Sequence, residues 1–426
     1  MALYGRRATR RLLIVPLVLI GLVGAGCATG QTGGPGQIEA HRAVAGGSVL
    51  TNAGGSVEYW VEYGPTRAYG SETDHATVTV QKNGAQAVQV PLSGLTRSTR
   101  YHFRLCASDD QQQGGPGCGD DATLTTLDID CGETITESVR FHSDVICPAE
   151  STAGLVVGAD GVDINLAGRS LGMSIGSGVG APAIVNDGHA DVTIRNGSLL
   201  GGNTIDLTDA TRNAMRNLTV DGIGNAIQIV GGSDNVVSAS RADGRASGVA
   251  ATNSDGLAVT NSDVVAELAP GMSVSGTGAR ISYNRLHLDT FHGPLTALTL
   301  TGNGNRVAHN LIDGQWGGGI VLSSGANNSL VDNEVDDTQL LTAQAQSGDG
   351  IFVGPFTAGT VLRDNLTRGN DGDGIEAQGS DARVGGNQAF SNGDFGIDAA
   401  AGVTDLGGNQ ASGNGNPLQC RNVFCS

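Results

Sequence analysis

Two residue series keep the same phase from Asp191 to Gln410, and few folds can satisfy both. The first is made of asparagines: Asn196, Asn217, Asn261, Asn284, Asn310, Asn333, Asn365, Asn387 and Asn409. Most steps are 21 to 26 residues; the step from Asn217 to Asn261 is double, with Ser240 in the missing place, and the step from Asn333 to Asn365 carries a ten-residue excess. The second series is apolar, usually just after a glycine: Ile227, Val249, Met272, Leu298, Ile320, Ile351, Ile375 and Ile397. A period near 22 without a helical pattern predicts a β-solenoid.

Each period holds short alternating runs, such as Ala226-Ile227-Gln228-Ile229, followed by Gly, Asn, Asp and Ser. Those are strands and turns. Three strands of about four residues and three turns fill one coil, and stacked coils pair strand on strand at roughly 4.8 Å. One coil cannot bury its apolar face alone, so the stack is the folding unit. An asparagine once per coil can bond its amide to the amides above and below, and it tolerates a left-handed turn. The recurrence of apolar positions in register argues against low-complexity disorder.

The chain has 24 basic and 42 acidic residues, and Lys82 is its only lysine. No basic stripe exists to meet phosphates, so nucleic acid is excluded as a partner. Cys27 stands apart from six later cysteines that fall into neighbouring pairs: Cys106 with Cys118, Cys131 with Cys147, and Cys420 with Cys425. Proximity alone suggests three local disulfides among fifteen possible connectivities, as suits an oxidising compartment. No CxxC or His-Cys spacing supports zinc.

Residues 1–26 read as an export signal: Arg6, Arg7, Arg10 and Arg11 precede the apolar stretch Leu12 to Gly26. Val23-Gly24-Ala25-Gly26-Cys27 resembles a bacterial lipobox, with Gly24 where leucine is usual. The resemblance implies lipidation of Cys27 and a protein anchored to a membrane on the outer side of the cytoplasm. Residues 27–45, rich in glycine, are expected to be a flexible tether. Residues 46–126 contain Val57-Glu58-Tyr59-Trp60-Val61-Glu62-Tyr63, Ala76-Thr77-Val78-Thr79-Val80 and Tyr101-His102-Phe103-Arg104-Leu105, which alternate as strands of a small β-sandwich. Glu62-Tyr63-Gly64-Pro65-Thr66 and Leu95-Thr96-Arg97-Ser98-Thr99-Arg100-Tyr101 resemble a bacterial fibronectin type III module, with Arg97 where proline is usual. The part before Tyr59 is short, so missing or irregular first strands are expected. The resemblance implies a spacer.

Residues 127–426 are expected to form the solenoid, opening at Cys131-Gly132-Glu133-Thr134-Ile135-Thr136 and closing at Asn414-Gly415-Asn416-Pro417-Leu418-Gln419-Cys420. These ends resemble those of secreted right-handed parallel β-helix proteins of the pectate-lyase-like class. The expected fold class is therefore all-β, a right-handed parallel β-helix preceded by a β-sandwich. The resemblance is specific for fold and poor for chemistry, because such helices host lyases, hydrolases, epimerases and adhesins.

In a strand, side chains alternate in and out. The outward stripe reads Gln228, Ala250, Ser273, Thr299, Val321, Phe352, Glu376 and Asp398, turning aromatic and then acidic. Gly-Asp-Gly recurs at Gly348-Asp349-Gly350 and Gly372-Asp373-Gly374. Three readings compete: turn chemistry, a calcium site, and a paired-carboxylate centre acting on a sugar chain. The candidate catalytic residues are Asp349, Asp373, Glu376 and Asp398; Trp316, Phe352 and His292 are candidates for contact with substrate. Asp-Pro-His, Asn-Thr-Asp and Gly-His-Gly are absent, so no known catalytic set is spelled out. The expectation is a monomeric, exported, lipid-anchored surface protein that binds or processes polysaccharide. If an enzyme, it is a polysaccharide lyase, epimerase or glycoside hydrolase. The alternative is a non-catalytic scaffold or adhesin.

Overall fold

The computed structural model describes residues 27–109, 115–174, 180–287, 296–314, 317–339 and 348–426. Two compact units divide between Thr126 and Leu127. Trp316 and His292 lie outside the described residues.

In the second unit, one sheet of 13 strands runs from Glu133–Ile135 to Cys420–Arg421, and a second of 22 strands folds around the rest of the coil. The pairing is parallel throughout, each strand on its counterpart one coil away. The apolar series is one continuous rung line: Ile227 pairs with Val249, and the register continues through Met272, Leu298, Ile320, Ile351, Ile375 and Ile397. All eight are fully buried. The fold is thus the all-β parallel helix of roughly 22-residue coils that the period predicts.

The polar series is a hydrogen-bonded ladder, with one change of phase. The backbone N–H of Ser262 donates to Asn284 Oδ1 at 3.0 Å, that of Asn284 to Asn310 at 3.0 Å, and that of Asn310 to Asn333 at 3.2 Å. The line continues through Asn365, Asn387 and Asn409. Each amide nitrogen also reaches a main-chain carbonyl, as Asn365 Nδ2 does to Leu330 at 2.9 Å. Asn261 is not a rung. It takes the left-handed turn (φ 51°) one position earlier, and Ser262 is the rung. Asn196 and Asn217 likewise sit in left-handed turns, bonded to each other at 2.9 Å near solvent. A further ladder, Thr338–Asn370–Asn392–Asn414, runs along the turn that feeds the 13-stranded sheet.

The first unit is a nine-stranded sheet system. Its core contains Val49, Val57, Val61, Leu92, Leu95, Phe103 and Leu105, and the Tyr101 hydroxyl accepts the Thr96 N–H at 3.0 Å. The expected tether at 27–45 is corrected: Ala28–Ile38 and Arg42–Thr51 are paired strands, so the first strands are neither missing nor free. Glycine serves close approach there. A Cβ on Gly30 would stand 2.2 Å from the Leu105 carbonyl oxygen, and one on Gly47 2.5 Å from that of Gln31. Disulfides join Cys106–Cys118, Cys131–Cys147 and Cys420–Cys425, and Cys27 is the free cysteine among the described residues.

The ladder makes a graded prediction. Asn365→Ala strands the Asn333 N–H and the Leu330 carbonyl in the interior, and should cost about 2–5 kcal/mol. Asn217→Ala, on the exposed turn, should cost under about 1 kcal/mol. Denaturant unfolding monitored by circular dichroism checks the contrast; equal losses would contradict it.

Candidate functional site

The two Gly-Asp-Gly turns stack coil on coil at the entry to the 13-stranded sheet. Gly350 N–H donates to the Asp373 carbonyl and Gly374 N–H to the Phe395 carbonyl, each at 2.9 Å. Within this stack the aspartates act as ladder residues. Asp349 Oδ1 accepts the Asp373 N–H at 2.8 Å, and Asp373 Oδ1 accepts the Phe395 N–H at 2.8 Å. A Cβ on Gly372 would fall 2.3 Å from Asp349 Oδ1, so glycine is what lets the backbone pass the carboxylate.

An asparagine would fill this role and use its amide nitrogen as a donor. An aspartate leaves a second oxygen with no donor, and burial makes that costly. Asp349 Oδ2 is buried with no N–H or hydroxyl of another residue donating to it, on a residue only 6% exposed. Glu376 projects from the strand Ile375–Ala377 into the same space, one oxygen taken by the Gln378 amide. Asp349, Asp373 and Glu376 each offer an oxygen within 4.8 Å of the other two.

Three carboxylates this close cannot all stay ionised in a dry setting. Burial, then the neighbouring Glu376 and Asp373 charges, pushes Asp349 up to about 8 against the pull of the Asp373 N–H. Burial, with Asp398, Asp394 and Glu376 nearby, pushes Asp373 up to about 7. Glu376 is also raised, chiefly by burial, while bonds from Gln378 and Asp349 favour its anion. Both shifts favour a proton held between Asp349 and Glu376 over two buried anions.

The other expected members are placed differently. The outward stripe is in register, Phe352 on Glu376 on Asp398 on Arg421. Asp398, however, is corrected out of the cluster: its carboxylate is held by the Arg421 guanidinium. It acts on Asp373 and Glu376 only through its charge. Phe352 is corrected as a stacking surface: it is 5% exposed, and a Cβ on Gly354 would come within 3.1 Å of its ring. Asp313 is paired with Arg285. Sequence reasoning missed Arg421 and Gln378; the rung spacing of 23 from Asp398 to Arg421 was the available signal.

The cluster also fits a hard divalent cation. Asp349 Oδ2, Asp373 Oδ2 and Glu376 Oε2 are the oxygens left over once each carboxylate has accepted one protein hydrogen bond. Calcium takes oxygens at about 2.3–2.6 Å and six to eight ligands, so three would come from these residues and the rest from water or substrate.

Above about pH 4 an unfolded aspartate has lost its proton, whereas folded Asp349 and Asp373 keep theirs to about 8 and 7. Unfolding releases protons throughout that window, so stability is highest below about pH 4, falls as pH rises across it, and levels off once pH has passed 7 and 8. Asp349→Asn, whose amide needs no proton and can donate to Glu376, should raise the melting temperature more at pH 8 than at pH 5. Thermal denaturation at the two pH values tests this; an unchanged slope would show that the site does not hold the proton. Calcium should raise the melting temperature of the native chain at pH 8 and not that of the Asp349→Asn variant.

Among solved structures, pectate lyase Pel9A is 15% identical over 62% of this chain and 72% of its own, with a TM-score of 0.30. The catalytic domain of a GH87 α-1,3-glucanase in complex with nigerose is 11% identical over 94% and 96%, with a TM-score of 0.29. The sensor domain of the anti-sigma factor RsgI4 in Pseudobacteroides cellulosolvens is 14% identical over 24% of this chain and 89% of its own, with a TM-score of 0.18. Likenesses this distant carry no argument about chemistry. No curated protein matches the chain significantly. The family described as the right handed beta helix region matches residues 177–335 and 290–415. Those matches together span more than half of the 426 residues, and the chain belongs to the right-handed β-helix family.

Proposed function

We propose that this β-helix cleaves a polysaccharide by acid–base chemistry at Asp373 and Glu376, with Asp349 as the positioning residue behind them. The observation that carries the reading is the stack of two buried aspartates where an asparagine ladder would suffice, converging with Glu376 within 4.8 Å. Asp349 Oδ2 is closed to solvent, so this residue does not touch substrate. It donates its proton toward Glu376 and keeps that carboxylate anionic, ready to take a proton from water. Asp373, poised at about 7, suits proton delivery to the glycosidic oxygen near neutral pH. As the C–O bond breaks, the leaving oxygen gains the proton from Asp373, and the hydroxyl of the deprotonated water joins the sugar carbon.

We further propose that the protein works outside the cytoplasm. The six later cysteines are all disulfide-bonded while Cys27 is free, next to the start of the strand Ala28–Ile38. That pattern supports a lipid anchor at Cys27. The first unit, which resembles a fibronectin type III module, then serves as spacer. Metabolic labelling with a fatty acid should mark the native chain and not the Cys27→Ala variant.

The activity is tested by incubating the full chain with neutral and acidic polysaccharides, with and without calcium, and following chain length. Shortening of one polymer is expected. Asp373→Asn and Glu376→Gln should each reduce it at least about a hundredfold. Asp349→Asn should lower kcat and shift the pH profile while KM holds. Retention of a polymer without shortening would make the protein a binding module. Neither effect would leave the scaffold or adhesin reading.

A further inference from the structure

Beyond the acid centre, the outward stripe ends in a cavity of about 340 Å³ lined by Gln378, Asp398, Arg421 and Asn422 together with Ala399, Ala400 and Ala401. Successive strands are about 4.8 Å apart, so Arg421, two rungs from Glu376, lies roughly 10 Å along the helix from it. Gln378 belongs to both places: its amide nitrogen holds Glu376, and its carbonyl oxygen is left for the cavity. The polar groups are held in place. The Arg421 guanidinium bonds both oxygens of Asp398 and lies over the Phe395 ring, 5.1 Å from its centroid. Asn422 Nδ2 donates to the Ala399 carbonyl at 2.8 Å, which fixes the amide and leaves its oxygen as an acceptor. The disulfide Cys420–Cys425 closes the loop that carries Arg421 and Asn422.

We propose that this cavity is a subsite for one neutral sugar unit of the chain whose bond reaches the acid centre; the proposal rests on the glycan-cleaving reading above. The class of sugar follows from charge. Arg421 is already neutralised by Asp398, and the further charged groups that act on it, Asp373 and Glu376, are both acidic. A sugar carboxylate entering here would meet acidic groups with no unbalanced cation to receive it. A hydroxyl-bearing ring fits better. Its hydroxyls can donate to Asp398, Gln378 and the Asn422 oxygen and accept from Arg421. Its C–H face can rest against Ala400 and Ala401, which are not buried. The volume lies in the range of sites that enclose small ligands. The net charge of −18 over the whole chain works in the same direction, because it repels polyanions at long range.

Binding is measured by titration calorimetry on the full chain carrying Asp373→Asn, so that bound oligomers are not consumed. The probes are neutral hexasaccharides of glucose, mannose and galactose, each beside a hexamer of the corresponding uronic acid. Two further substitutions report on the cavity alone. Asn422→Gly removes the amide at a position whose left-handed φ of 56° glycine accepts without strain. Ala400→Phe fills space from a lining position. One neutral hexamer is expected to bind, and each substitution should weaken it about tenfold. Its uronate counterpart should bind more weakly. Tighter binding of a uronate, indifference to both substitutions, or no binding of any neutral hexamer would overturn the proposal. If the chain with Asp373 intact cleaves a polymer and neither cavity substitution alters binding or rate, the acid centre stands and the subsite falls.

Discussion

The structure depends on one interaction repeated down the coils: a buried side-chain oxygen accepting the backbone N–H of the neighbouring rung. At Ser262, Asn284, Asn310, Asn333, Asn365, Asn387 and Asn409 this bond lets each tight turn enter the interior without an orphaned N–H. Asparagine is suited to the role because its amide nitrogen reaches a carbonyl at the same time. The core inside is thin and aliphatic, with Ile227, Val249, Met272 and their successors stacked on one another. Neither the ladder nor the core line is stable in one coil, and each gains from every coil added.

The candidate site is a local departure from that device. Asp349 and Asp373 keep the bond to the next rung and give up the second one. What they gain is a pair of unspent oxygens facing Glu376, at the cost of desolvation that raises all three carboxyls. A rule broken twice in neighbouring coils, without local repair, is the departure on which the proposed active site rests. The nearby Asn370–Asn392–Asn414 ladder shows that the ordinary solution was available in the same coils. Asp398 illustrates the opposite case: it projects from the next rung of the same strand line, yet Arg421 takes it out of the acid cluster.

The first unit carries a different lesson about glycine. Composition over residues 27–45 reads as flexible linker, yet Gly30 and Gly47 lie where any side chain would strike a neighbouring strand. Low side-chain content marks flexibility only when the backbone has nothing to approach, and composition does not report what lies across the sheet.

The sequence by itself determined the period, the core line and the disulfide partners. A one-dimensional repeat in space is also a repeat along the chain, and the paired cysteines are neighbours in both. It also brought Asp349, Asp373 and Glu376 forward, since residues one coil apart are in contact. Only the tertiary structure decided which acids converge. Membership turns on whether a carboxylate meets a cation, as Asp398 meets Arg421, or a backbone N–H that leaves one oxygen over, as at Asp349. It also decided that Ser262 and not Asn261 is the rung, because a one-residue change of phase moves a side chain from the interior to the turn.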